Sequence, residues 1–214
     1  MRGAPVAQKE QSYADFKKDF PFDEGKCVFD MIEKKEGHPI HEVIRAESKN
    51  FFAVALGDHS FSNVTQKRDA KAPFHAALVK RRSGKTSFCC ATAVAASYAG
   101  TEVTIVIHED GGANWIWSQL ATYRSVYREL SYTPKNSKPA AIYVTKLPES
   151  DSIAFLMSRL TEDGKSLHNR LVIFDEFTRQ PFLKDISCGA LQDALIEKGF
   201  SAQVRVCALG TSIR

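Results

Sequence analysis

The stretch Leu78-Val-Lys-Arg-Arg-Ser-Gly-Lys-Thr-Ser87 constrains the fold of this chain more than any other. An apolar strand end runs into a short glycine-containing turn and then into a helix. Gly84 allows the backbone a conformation, and an approach to an anion, that a side chain would hinder. The first amides of the following helix have no intrahelical partners and can point at a phosphate. Lys85 is placed to reach β- and γ-phosphates, and the Thr86 hydroxyl to sit on Mg²⁺. Ser83 and Ser87 flank this Gly-Lys-Thr core and complete the candidate binding loop. The usual pattern has a glycine five residues before Gly84, and Val79 stands there instead.

Two later segments give the loop a context. Leu171-Val-Ile-Phe-Asp-Glu176 is an apolar run ending in two carboxylates. Such a run reads as a strand buried on both faces of a parallel sheet. Acids at its carboxyl end fall where open α/β sheets bind ligands. Asp175 is the candidate Mg²⁺ ligand, and Glu176 the candidate catalytic residue that polarises the attacking water. The alternative is a strand that simply enters a solvated turn. Val204-Arg-Val-Cys-Ala-Leu-Gly-Thr-Ser212 is a further apolar strand with a hydroxyl-bearing tip. Thr211 and Ser212 are its candidates for sensing a γ-phosphate, although Gly-Thr-Ser is also an ordinary turn sequence.

From Phe74 onward, strand and helix patterns alternate. Strands are expected over 74–79, 102–108, 140–146, 171–174 and 204–209. Helices are expected over 85–98, 113–130, 150–160 and 191–198. This alternation implies βαβ crossovers and a parallel sheet flanked by helices. The expected fold is α/β: a P-loop NTPase core of the additional-strand, catalytic-glutamate class. The expected boundary divides a helical N-terminal segment, 1–72, from the ATPase core, 73–214. ATP and Mg²⁺ are the expected cofactors.

The order of these motifs resembles the ATPase domain of the large terminase subunit, the DNA-packaging motor of herpesviruses and tailed phages. That family often lacks the first glycine and carries one or two arginines just before the x-Gly-Lys-Thr, as Arg81 and Arg82 do here. The resemblance runs from about Phe74 to Ser212. It implies ATP hydrolysis coupled to movement of double-stranded DNA, a homo-oligomeric ring on a capsid portal, and a virus-encoded protein in the host nucleus or cytoplasm. It makes Arg81 and Arg82 candidate catalytic residues; the plainer reading is solvated charge beside a strand end. Family members continue into a nuclease domain. The chain ends two residues after Ser212, so it either lacks the nuclease or is a fragment, and DNA cleavage is not carried over from the resemblance. A helicase-like ATPase and a degenerate P-loop fold serving as an assembly module remain the alternatives.

Composition excludes little. A net charge of +4 permits a polyanionic partner without requiring one. The five cysteines contain no C-x-x-C pair and read as buried, reduced thiols. No run approaches the ~20 apolar residues of a membrane span. Trp115 and Trp117 are expected in core or partner surface, His108 carries no ligand spacing, and Lys34-Lys35 reads as a solvated helix face.

Overall fold

The computed structural model describes residues 26–37, 51, 54–55, 74–108, 112–130, 138–148, 154–156, 158, 170–180 and 205–211. Five strands form one sheet: β1 (Phe74–Val79), β2 (Glu102–Ile107), β3 (Ile142–Lys146), β4 (Arg170–Asp175) and β5 (Arg205–Thr211). Every pairing is parallel, and the spatial order is β1-β5-β4-β2-β3. The last strand in sequence therefore lies between the first strand and the acid-tipped one. Val79 stands opposite Thr211, and Asp175 opposite Leu209, so the carboxyl ends of β1, β5 and β4 form one edge.

Three described helices pack together against the sheet: α1 (Lys26–Glu36), α2 (Lys85–Tyr98) and α3 (Gly112–Glu129). In α2 almost every side chain is buried. A helix apolar all round belongs in an interior, and its Ala and Cys side chains let it lie close to the strands. Its end is a Schellman turn. Gly100 takes φ 84°, its amide bonds Ser97 O at 3.1 Å, and the Thr101 amide bonds Ala96 O at 3.0 Å. Helix α3 buries Ile116, Leu120, Tyr123 and Tyr127, the stripe its sequence spacing prescribes. Tyr127 stacks on Tyr98 at 4.5 Å between ring centroids.

Alternation along the strands sorts the core. Ala77, Val103, Ile105, Leu171, Ile173, Cys207 and Leu209 join the three helices in one apolar cluster. Val106, Val172, Phe174, Val206 and Ala208 face the other way and are buried as well. Burial on both faces is why β4 reads as a continuous apolar run.

Several expected boundaries shift. Strand β5 continues through Gly210 and Thr211, past the Leu209 end that its apolar run predicts; pairing with β1 up to Val79 extends it. Helix α1, within the segment expected to be helical, carries Val28, Phe29 and Ile32 at helical spacing and packs beside Phe88 of α2. Helices expected over 191–198 and most of 150–160, and most of the helical segment expected over 1–72, lie outside the described residues.

Candidate active site at the carboxyl edge of the sheet

Leaving β1, residues 80–84 turn the chain back into α2. Gly84 has φ 85°, a left-handed backbone, and a Cβ built there would meet no atom of the described residues within 4 Å. Within the protein, then, its glycine is required by conformation and not by crowding. The first helical bond runs from the Phe88 amide to Gly84 O at 2.9 Å. The amides of Lys85, Thr86 and Ser87 stand at the open end of the helix, where the dipole favours an anion.

The open end faces the acids of β4. Arg82, Ser83, Gly84, Lys85, Thr86 and Ser87 form one wall of a cleft of about 240 Å³, and Asp175 and Glu176 stand across it. Thr86, beside Asp175, favours the ionised form of its carboxylate. Burial raises the Asp175 carboxyl above its ordinary value, Glu176 beside it adds to this, and Thr86, His108 and Lys85 only partly offset the rise. Among the described residues Asp175 Oδ1, buried, has no hydrogen-bond partner, and neither has Ser83 Oγ.

Glu176 is held by four donors. Its Oε1 accepts from the Thr211 amide at 2.6 Å and the Thr178 hydroxyl at 2.8 Å. Its Oε2 accepts from the Thr211 hydroxyl at 2.5 Å and lies 3.3 Å from Lys85 Nζ. Burial pushes the Glu176 carboxyl up; the hydroxyls of Thr211 and Thr178, then Lys85 and the Thr211 amide, outweigh it and leave the group below its ordinary value. Thr211 reaches Glu176 because β5 adjoins β4, a neighbour relation that no local signal in the sequence announces.

The backbone here is strained. Among the described residues only Arg82 (φ 59°) and Glu176 (φ 62°) are non-glycine residues with positive φ, and both border the cleft. Such strain gathers where the surrounding structure over-determines a functional side chain.

Of the residues singled out from the sequence, Arg82 to Ser87, Asp175 and Glu176 come together in the cleft, and Thr211 joins them through Glu176. Arg81 is exposed and is not among the lining residues. Ser212 lies outside the described residues. Of the two places expected for Trp115 and Trp117, core or partner surface, the core is not theirs: they are 48% and 42% exposed, and Trp115 lines the cleft. They open α3, whose apolar stripe begins at Ile116, so they fall to either side of it. His108, passed over for want of ligand spacing, also lines the cleft, 3.4 Å from Arg179 Nη1. Its one sequence signal is its place just past an apolar strand. Lys35 is no bare solvated charge, since its Nζ lies 4.6 Å from the centroid of the Tyr123 ring.

Comparison with known proteins adds little. No protein-family model matches the chain, and no curated protein matches it. Among solved structures, one similar chain is a mutant of the ATPase domain of a Thermus phage large terminase. The identity is 17%, the TM-score 0.38, and the match covers 73% of this chain. The chain spans 63% of that protein's length. The functional reading therefore rests on the geometry of the cleft.

Proposed function

We propose that this chain is a Mg²⁺-dependent ATP hydrolase with a P-loop core, and that it serves as the motor domain of a terminase-type machine moving double-stranded DNA. One observation carries the hydrolase reading. The open end of α2 presents Lys85 and Thr86 to Asp175 and Glu176 across one cleft, with Thr211 of the intervening strand bonded to the same glutamate. The order β1-β5-β4 supports the additional-strand class, in which a strand separates the loop strand from the acidic strand. The terminase assignment rests on the motif order, with Arg81 and Arg82 before Ser83-Gly-Lys-Thr.

Each residue then has a task. The amides of Lys85 to Ser87 and the Lys85 ammonium bind the phosphates. Thr86 and Asp175 fit a Mg²⁺ site: a hydroxyl and a buried carboxylate with an unused oxygen, the hard donors this ion takes beside phosphate and water. Bound there, the ion would neutralise charge on the phosphate oxygens. When Lys85 turns to a phosphate, Glu176 Oε2 loses that contact and can accept a hydrogen bond from the attacking water. The water oxygen bonds to the γ-phosphorus as the bridging P–O bond breaks. Thr211 is placed to report the γ-phosphate to Glu176. Arg82, in the cleft wall, stabilises charge on the transferring group, in its own subunit or in a neighbour's; Arg81 serves only across an interface. Double-stranded DNA, a ring of copies and a capsid portal are the partners of this reading. Among the described residues no helix is long and apolar enough to cross a membrane.

The test is Lys85→Ala, compared with Glu176→Gln. Lys85→Ala should abolish Mg²⁺-ATP binding without unfolding the protein. Glu176→Gln should keep binding and lose about 10²-fold or more in turnover. Unchanged affinity and turnover in Lys85→Ala would remove the assignment.

A further inference from the structure

The turn after β4 holds a residue that the motif reading leaves without a role. Phe177–Arg179 form a single 3₁₀ turn that starts from the left-handed Glu176. Phe177 is fully buried. The turn is pressed against Gly210 of β5. A Cβ built on Gly210 would lie 2.7 Å from Thr178 Cγ2 and 2.8 Å from Phe177 Cε1. The bare glycine backbone is thus the seat on which the Thr178 methyl rests. With the methyl seated there, the Thr178 hydroxyl points back to Glu176 Oε1 at 2.8 Å.

We infer that Thr178, seated on Gly210, is a positioning residue that holds the Glu176 carboxylate in its working orientation; this rests on the hydrolase reading above. Two donors, the Thr211 amide and the Thr178 hydroxyl, occupy Oε1. Both donors on Oε2, Lys85 and the Thr211 hydroxyl, are groups that the phosphate competes for, whereas neither donor on Oε1 is. Withdrawal of Lys85 opens an acceptor site on Oε2 and leaves Oε1 pinned. Thr178 thereby decides which oxygen meets the water and keeps the carboxylate from turning. Thr211 alone bonds both oxygens and is itself a candidate γ-phosphate sensor, so Thr178 is the donor to Glu176 with no competing task in the cleft.

Thr178→Val and Thr178→Ser separate the hydroxyl from the packing. Valine keeps the shape and the methyl on Gly210 but removes the donor; serine keeps the donor and removes the methyl. Steady-state ATP turnover and nucleotide affinity are measured on the full chain, with thermal melting as the check on folding. The valine variant should lose about tenfold or more in kcat, with KM and nucleotide affinity retained, as expected for one hydrogen bond to a charged group. The serine variant should keep a kcat near the parent's. Parent kcat in Thr178→Val, or equal losses in both variants, would overturn the positioning role and leave the hydrolase reading standing. A parent chain without turnover that depends on Glu176 would overturn both.

Discussion

Asp175 shows how a single residue trades stability for readiness. It ends a fully buried strand, and its Oδ1 has no hydrogen-bond partner among the described residues. Burial, then Glu176, raise its carboxyl against the help of Thr86. A carboxyl raised in the folded state stabilises the fold while protonated and loses that contribution as pH climbs through the folded value. At neutral pH the cost of the buried charge is fully present. Asp175→Asn should therefore raise the melting temperature of the nucleotide-free protein. The same change should weaken the Mg²⁺-dependent part of nucleotide binding, read by titration with and without the metal. A drop in melting temperature would show that the charge is better compensated than this burial implies. Glu176, one residue on, is the opposite case. Four donors surround it and hold it ionised, and its φ of 62° keeps it turned into them.

At the scale of elements, β5 does the organising. Placed between β1 and β4, it sets Thr211 beside Glu176 and Gly210 beneath the turn that carries Thr178. Gly210 is also 3.0 Å, by its absent Cβ, from Leu78 Cδ2 of β1. A methyl there meets atoms of three side chains on both neighbouring elements, and Phe177 among them is fully buried. Gly210→Ala should destabilise the fold by about 1–3 kcal/mol in a denaturant titration, the usual cost of overpacking. Turnover should fall with it, because the displaced turn carries Thr178 away from Glu176. Parent stability in this variant would mean that the turn yields freely. The loop side is organised differently. Gly84 and the open end of α2 need no long-range partner to take their conformation, since a left-handed glycine before a helix is a local arrangement.

Across the whole molecule, a chain of aromatic contacts joins parts far apart in sequence. Phe51 packs edge-on to His75 of β1 at 6.2 Å and to Phe88 of α2 at 4.9 Å, and Phe88 meets Phe29 of α1 at 6.0 Å. Arg205 fastens the same region, donating to Ala55 O at 2.9 Å and to Thr101 Oγ1 at 2.8 Å. Burial lowers the His75 imidazole to about 4. The sign follows from linkage: the unfolded chain binds a proton below about 6.5, and the folded chain does not until about 4. Stability is complete above that window and should fall as pH drops through it, by about 3 kcal/mol. Denaturant midpoints at pH 7 and pH 4.5 measure this fall, and His75→Phe should flatten it. A His75→Phe protein with the parent's pH slope would place the acid sensitivity elsewhere.

The local parts of this architecture were legible in the residues. The run Phe74–Val79, the helix Lys85–Tyr98, the stop at Gly100 and the acid-tipped strand depend on apolar periodicity and on glycine's backbone freedom, which neighbours in sequence decide. So does the presence of Gly84-Lys-Thr and Asp175-Glu176. Which strands lie side by side was not legible, because pairing is settled by how helices and strands bury their faces together. That placement alone brought Thr211 onto Glu176, made Gly210 a seat for Thr178, and carried His108 into the cleft. It also left Trp115 at the cleft and not in the core. The sequence by itself determined the strands, the helices and the chemical groups at their ends. Tertiary structure decided which of those groups face one another, since a hydrogen bond depends on proximity in space and chain order does not encode it.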